Sequence, residues 1–378
     1  MLNRDLKLIF ATNAVGSFGD GLFAYLLPVY MSNTLRLGPI QIGVLYALLA
    51  LASALTLLIS GKLADRYDRR KIMVAGWIAW LPAPLIFAFA QNFAEMIPGV
   101  VMWGFWLGQP AGSAYIVTSS ERSRLTSTFT IMSAGWSLGY TFSPAIGGYL
   151  AGTVGMKTIF YLAFIFYASA CLTLSFITSQ RANHNREIDE KDYSFSKLIR
   201  NRKLLSMSAL FAAVMFITMM YRNFVPIYVK AAYGLTDFQI GFLGSVLFAS
   251  SAVLGIVLGK LGDIKRNVYS LALSLILSAT ALTLMLWSGN FAILLLSFIF
   301  NVAPYLTWSM LGAIVGPTAP ESYRARWIAI PQTLCMFFSF AAPYLGGLLY
   351  AISANYPFIV ALLIMPLLAI LSLRMIKG

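Results

Sequence analysis

The chain contains 378 residues, of which 59% are hydrophobic and 11% are charged, and its formal net charge is +14. Soluble domains carry about 25% charged residues, because polar surface must cover each packed core. The composition therefore excludes a water-soluble globular protein. Two cysteines, Cys171 and Cys335, lie in apolar runs, and the single histidine lies in a polar loop, which excludes a disulfide framework, a zinc site and a histidine-based triad.

Apolar runs of about 20 residues, each long enough to cross a hydrocarbon layer as a helix, alternate with short charged clusters. Inside a bilayer every backbone donor and acceptor needs an internal partner, so each run must be helical. We predict an all-α membrane protein with twelve transmembrane helices, at residues 6–31, 40–60, 72–91, 95–118, 126–152, 156–178, 204–229, 238–259, 268–287, 291–316, 325–350 and 355–376.

The excess positive charge is a topology signal. When successive loops are assigned to alternate sides of the membrane, 23 of the 27 Lys and Arg residues fall on one side. Basic loops remain in the cytoplasm, so we expect a multi-pass protein of the plasma or inner membrane with both termini cytoplasmic. This placement of the charges also argues against nucleic acid as a partner.

The longest polar stretch, residues 179–203, separates six spans from six and has the mixed charges of a solvated linker. We therefore predict three parts: an N-terminal six-helix bundle at 1–178, a cytoplasmic linker at 179–203 and a C-terminal six-helix bundle at 204–378.

The two halves of the chain resemble each other. An offset of 198 residues pairs Pro28 with Pro226 and Asp65 with Asp263, and it also aligns a Gln-Ile-Gly triplet in each half. Coincidences at Pro, Asp, Gln and Gly in the same order indicate a duplicated six-span unit.

The loop after span two has the sequence Gly-Lys-Leu-Ala-Asp-Arg-Tyr-Asp-Arg-Arg-Lys, at residues 61–71. It resembles the loop signature of the major facilitator superfamily, except that Asp68 stands where that family most often has Gly. The resemblance covers essentially the whole chain. It implies a secondary transporter that works by alternating access, with two pseudo-symmetric six-helix bundles around a central cavity. We expect a conformational gate built from Gly61, Asp65, Arg66, Arg69 and Arg70.

Span five contains a second motif, with Gly139, Pro144, Gly147 and Gly148. It resembles the Gly-rich, Pro-kinked helix found most often in superfamily exporters that exchange substrate for protons, with Ser143 in place of the usual Gly. Small residues let helices approach closely, so we expect these positions to pack against a neighbouring helix. Proton-coupled drug exporters commonly carry an Arg within span four, and residues 103–110 have none.

Two residues, Asp20 in span one and Arg222 in span seven, are ionisable at hydrocarbon depth. An intramembrane charge costs about 2.5–3.5 kcal/mol or more, so such residues face a cavity or a partner. We expect both to carry proton coupling, with the proton, the substrate and Arg222 competing for the Asp20 carboxylate. The alternative is a permanent ion pair that pins the two halves together.

Side chains that share a helix face at steps of three or four residues are candidates for lining the cavity. Each aromatic or methionine taken singly also fits a packing role, but together they suggest an adaptable, largely apolar pocket. The predicted substrate-binding residues are Asn13, Ser17, Trp103, Trp106, Gln109, Trp136, Tyr140, Met215, Met219, Asn301, Tyr305, Trp308, Gln332 and Met336.

These features favour a proton-coupled antiporter that exports small amphipathic or cationic compounds, as multidrug efflux proteins do. The alternative is a proton-coupled carrier of an anionic or polar metabolite, with Arg222 as the clamp. A channel or lipid scramblase fits the predicted gate less well. An enzyme fits least, because no nucleotide loop or metal spacing occurs. We expect no cofactor, and a monomer whose partners are a small-molecule substrate, protons and the bilayer.

Overall fold

The computed structural model describes residues 2–120, 125–181, 202–265, 267–315 and 324–375. Within these ranges the chain is helical, with short turns between helices and no strand. The described helices are α1 Arg4–Ala24, α2 Leu27–Asn33, α3 Pro39–Arg66, α4 Arg69–Trp80, α5 Pro82–Phe89, α6 Phe93–Trp103, α7 Gly108–Ser119, α8 Leu125–Val154, α9 Met156–Leu174, α10 Arg202–Arg222, α11 Val225–Tyr233, α12 Asp237–Lys265, α13 Asn267–Leu286, α14 Phe291–Phe300, α15 Ala303–Val315, α16 Arg324–Ser339, α17 Ala342–Ile352 and α18 Tyr356–Met375.

Each of the twelve predicted spans coincides with one helix or with two consecutive helices. In the part of the chain that is described, nine helical segments are long and apolar enough to cross a membrane. They correspond to all the predicted spans except the first, fourth and fifth. Those three are also helical, but the first carries Asp20 and the fourth is interrupted at residues 104–107.

Several spans consist of two consecutive helices, and the break in the first span recurs at the equivalent position of the seventh. The first span is interrupted at residues 25–26 and the seventh at 223–224, which are 198 residues apart. Pro28 and Pro226 follow in the first turns of α2 and α11, where a missing backbone N–H costs nothing.

The chain divides into two compact units. Unit 1 contains Met1–Asn183 and Pro226–Ser245, and unit 2 contains His184–Val225 and Val246–Gly378. The segment Pro226–Ser245 thus packs with unit 1, although the sequence analysis assigns it to the C-terminal bundle. Most of the predicted linker, residues 182–201, lies outside the described residues.

In unit 1 helix α1 packs most extensively against α8 and α9, and in unit 2 the closest helix pairs are α13 with α18 and α10 with α16. The α1–α8 contact is made at the glycines of the span-five motif. A Cβ atom added to Gly139 would lie 2.1 Å from Ser17 Oγ, and one added to Gly147 would lie 1.9 Å from the Leu22 carbonyl oxygen. Gly148 lies against the backbone of Asp237, a residue of the segment Pro226–Ser245 that belongs to unit 1. Any side chain at these three positions would separate the helices.

Candidate functional site

Asp20 lies inside unit 1 with only 3% of its surface exposed. Three side chains donate hydrogen bonds to its carboxylate. The Trp103 indole donates to Oδ1 at 2.7 Å, the Tyr167 hydroxyl also donates to Oδ1, and the Tyr140 hydroxyl donates to Oδ2. The donors come from α6, α8 and α9. Asp20 therefore joins four helices of one unit.

An aromatic cluster surrounds these donors, and Trp80 at the end of α4 is its centre. The Trp80 ring centroid lies 5.5 Å from that of Trp77, 6.1 Å from Tyr167, and 6.4 Å from both Trp106 and Trp136. Trp136 in turn lies 5.9 Å from Tyr140. We refer to these six residues as the Trp80 cluster. Its indole rings are half-buried, whereas Tyr167 is fully buried.

The other predicted residues of unit 1 lie on the same helices. Asn13 donates to the Met132 carbonyl at 3.4 Å, and Ser17 is buried and donates to the Ala14 carbonyl at 3.2 Å. Gln109 is exposed at the start of α7. The structure thus brings Trp103, Tyr140, Trp106 and Trp136 to Asp20 or its cluster, and it engages Asn13 and Ser17 with backbone oxygens nearby.

One predicted residue of unit 2, Asn301, forms a polar pair with Tyr221, which was not predicted. Tyr221 donates a hydrogen bond to the buried Asn301 side chain at 2.7 Å. Arg222 is half-buried, and its charge acts on the phenols of Tyr221 and Tyr305. The remaining predicted residues there are buried (Met215, Met219, Met336) or half-buried (Trp308, Gln332).

The start of α4, directly after the loop that follows α3, is hydrogen-bonded to α7 and to the segment that follows α9. Arg69 donates through one guanidinium nitrogen to the Ala114 carbonyl at 3.2 Å, to Thr118 at 2.7 Å and to the Gln180 side chain at 2.8 Å. Arg70 donates to the Ser175 carbonyl. Arg69 and Arg70 therefore bind residues of their own unit. Of the other predicted gate residues, Gly61 has open space beside it, Arg66 is exposed, and the Asp65 side chain lies outside the described atoms.

Asp68 stands where the family signature usually has Gly, and it caps α4. Its carboxylate accepts hydrogen bonds from the Ser179 hydroxyl, from the Gln180 amide at 3.2 Å and from the Arg70 amide at 3.0 Å. Burial raises the pKa of Asp68, but these hydrogen bonds and the charge of Lys71 outweigh burial and hold the pKa below its ordinary value. Asp68 is thus ionised at neutral pH and binds the start of the linker.

Four residues described above were not predicted from the sequence: Tyr167, Trp77, Trp80 and Tyr221. Each lies in an apolar span, where an aromatic ring is usually explained by packing. A usable signal was available for Tyr167, because a phenol at hydrocarbon depth needs an acceptor. In the described residues, no three His, Cys, Asp or Glu side chains come together as a metal site.

Two units built of helices long and apolar enough to cross a membrane, with a buried carboxylate in one of them, are typical of membrane transport proteins. The family comparison agrees with this class. The model of the Major Facilitator Superfamily matches residues 9–228 and 209–377, and the chain belongs to this family.

Similar proteins include transporters of several kinds. An uncharacterised MFS-type transporter of Methanocaldococcus jannaschii is 24% identical over 332 residues, which cover 86% of this chain and 83% of that protein. Multidrug resistance protein 2 of Bacillus subtilis is 24% identical over 378 residues, covering 95% of this chain and 92% of the relative. The crystal structure of the nucleoside transporter NupG matches with a TM-score of 0.77 at 12% identity, covering 100% of both chains.

Proposed function

We propose that this protein is a proton-coupled antiporter that works by alternating access and exports small amphipathic or cationic compounds from the cell. The observation that carries the proposal is Asp20, a buried carboxylate in the first predicted span that accepts hydrogen bonds from three aromatic side chains. An acid in such a place is functional by default. The relative named as a multidrug resistance protein supports efflux as the direction.

Asp20 is suited to bind and release a proton because two opposed effects act on it. Burial disfavours its charged form, whereas three hydrogen-bond donors favour that form. A change in either effect during the transport cycle alters its affinity for a proton. In the proposed cycle Asp20 takes up a proton from outside and releases it when substrate binds from the cytoplasm.

Asp20→Asn tests the coupling directly. In proteoliposomes we expect the variant to lose transport driven by a pH gradient and to keep substrate counterflow, because counterflow needs no net proton movement. Asp5→Asn is the matched control. Asp5 lies at the cytoplasmic end of the same helix, and its carboxylate accepts hydrogen bonds from Tyr115 and Thr178. Unchanged pH-driven transport in Asp20→Asn would remove Asp20 from the mechanism.

The second candidate is a proton-coupled carrier of an anionic or polar metabolite with Arg222 as its clamp. It is favoured by the half-buried position of Arg222 in a predicted span, directly after the buried Tyr221, since a guanidinium pairs well with carboxylate or phosphate. Arg222→Ala separates the two candidates. Loss of substrate binding supports the anion carrier, whereas loss of pH-driven cycling with binding retained supports the exporter.

The proposed carrier acts as a monomer in the plasma or inner membrane, with both termini in the cytoplasm. The loop of Gly61, Asp65, Arg66, Arg69 and Arg70 serves as the cytoplasmic gate. Saturable counterflow distinguishes this carrier from a channel or a scramblase, which need no alternating gate.

A further inference from the structure

The indole nitrogen of Trp80 is a buried hydrogen-bond donor without a partner. Among the described residues, nothing accepts a hydrogen bond from Trp80 Nε1. Trp103, on the same side of unit 1, donates its indole N–H to Asp20. The two tryptophans therefore differ in an essential respect: the donor of Trp103 has an internal acceptor, and the donor of Trp80 has none.

An unpaired buried donor is costly. Leaving a buried N–H without an acceptor costs about 1–3 kcal/mol, and buried tryptophans usually find a partner for it. The groups in ring contact with Trp80 are Trp77, Trp106, Trp136 and Tyr167. Aromatic faces accept N–H groups only weakly, so an oxygen atom that reached Trp80 would be the better acceptor. Each orphaned group of this kind needs an explanation, and a bound molecule supplies one.

The surroundings of Trp80 indicate what else that molecule contains. Trp80, Trp106 and Trp136 are half-buried, so part of each side chain is exposed, but Trp80 Nε1 itself is covered and a ligand reaches it only when the neighbouring rings move. Indole faces attract organic cations, by about 2 kcal/mol or more when water is excluded. Asp20 accepts hydrogen bonds from two members of the cluster, Tyr140 and Tyr167. Because Asp20 is itself only 3% exposed, the rings offer more contact area to a ligand than its carboxylate does.

We propose that Trp80 is a specificity residue, and that its indole N–H donates a hydrogen bond to an ether or carbonyl oxygen of a lipophilic organic cation held against Trp80, Trp106 and Trp136. The inference rests on the proposed function and narrows its substrate class. Cations that carry an oxygen acceptor bind more tightly than cations of the same shape that lack one. The preference is set within unit 1 and requires no residue of unit 2.

A matched pair of ligands tests this preference. Butyltriphenylphosphonium and (2-methoxyethyl)triphenylphosphonium have the same charge and nearly the same shape, and differ by one ether oxygen in place of a methylene. Their affinities are measured by calorimetry on the full-length protein in nanodiscs, for wild type and for Trp80→Phe, which keeps a ring and removes the donor. We expect the affinity ratio of the methoxyethyl to the butyl compound to fall about 3- to 10-fold in the variant, the loss of one hydrogen bond.

Trp77→Phe is the control, because Trp77 packs against Gly16 in the same cluster and its nitrogen is not among the buried donors that lack a partner. The affinity ratio of this variant should equal that of wild type. A ratio that changes less than about twofold in Trp80→Phe, within the resolution of such a cycle, overturns the inference and leaves the proposed function standing. Failure of wild type to bind either phosphonium overturns both. If Trp80→Phe is not monodisperse, Trp80→Met removes the donor and gives the same comparison.

Discussion

The Asp20 carboxylate accepts three hydrogen bonds, from Trp103, Tyr140 and Tyr167. An ionised carboxylate has about four acceptor positions, and protonation turns one oxygen into a donor. Three of these positions are filled, two on Oδ1 and one on Oδ2, so the open position for a proton is the second one on Oδ2. The two tyrosines lie on α8 and α9, so the network ties the carboxylate on α1 to both of these helices.

Tyr167→Phe tests how much this network contributes to stability. The variant leaves Asp20 with one donor fewer, and a hydrogen bond to a charged group contributes about 1.5–3 kcal/mol. We expect a lower Tm in thermal unfolding. Tyr161→Phe is the matched control, since Tyr161 lies on the same helix with 40% of its surface exposed; its Tm should change little. An equal Tm for Tyr167→Phe and wild type would contradict the network.

Asp68→Asn tests the attachment of the linker through its pH dependence. The pKa of Asp68 is depressed in the folded protein, so its charge stabilises the fold above the ordinary carboxyl pKa of about 4, and this contribution is lost as pH falls further. Asn still caps a helix, so the variant removes mainly the charge. We expect a lower Tm than wild type at pH 7, and a smaller difference at pH 3.5. A difference independent of pH would contradict the assignment.

At the residue scale, the sequence predicted some members of the site and missed others. Asp20 was predictable because a charge at hydrocarbon depth is expensive wherever the helices pack. Trp103 and Tyr140 were predicted from their helix faces. Trp80 and Tyr167 were missed because helical periodicity within one span does not show which faces of different spans meet.

Helices α1 and α8 approach closely because glycine residues of α8 lie where the two helices touch. At Gly147 a methyl group would lie 1.9 Å from the Leu22 carbonyl oxygen, and at Gly139 it would lie 2.5 Å from the Phe18 amide nitrogen. Both obstacles are backbone atoms, which cannot move aside as a flexible side chain can. The span-five motif therefore sets the distance between the helix that carries Asp20 and the helix that carries Tyr140.

Gly147→Ala should separate α1 from α8 and destabilise the protein by about 1–3 kcal/mol, the usual cost of overpacking. Gly152→Ala is the control on the same helix, because nothing lies within 4 Å of its added methyl group. There we expect no loss, and a gain of up to about 1 kcal/mol from helix propensity. Thermal unfolding of the two variants side by side measures the difference. Similar Tm values would show that the helix pair adjusts freely.

At the element scale, hydropathy was sufficient to place the helices, because lipid-spanning backbone must bond internally. The interruptions were harder to predict. Residues 104–107 and 301–302 separate helices inside single apolar spans. At Gly104 the chain packs closely against α3, because a Cβ atom added there would lie 2.6 Å from the Leu49 carbonyl oxygen. The break at Gly104 accompanies a tertiary contact, which the composition of the span does not encode.

At the scale of the whole molecule, the charge distribution predicts an orientation that labelling can test. In a variant lacking Cys171 and Cys335, cysteine is introduced either at Tyr67, which is 60% exposed, or at Gly289, which has open space beside it. A membrane-impermeant maleimide applied to intact cells should label Gly289→Cys and not Tyr67→Cys, because the basic loops face the cytoplasm. The reverse pattern would invert the predicted topology.

The concentration of indole rings around Asp20 also has a spectroscopic consequence. Of the eight tryptophans in the chain, four belong to the Trp80 cluster and a fifth, Trp103, donates to Asp20. Ring centroids 5.5–6.4 Å apart allow excitation to pass between these indoles, so a change at one ring alters the emission of the group. Five of the eight tryptophans thus lie in the Trp80 cluster or bind Asp20, and the unlabelled molecule carries its own optical reporter of that site.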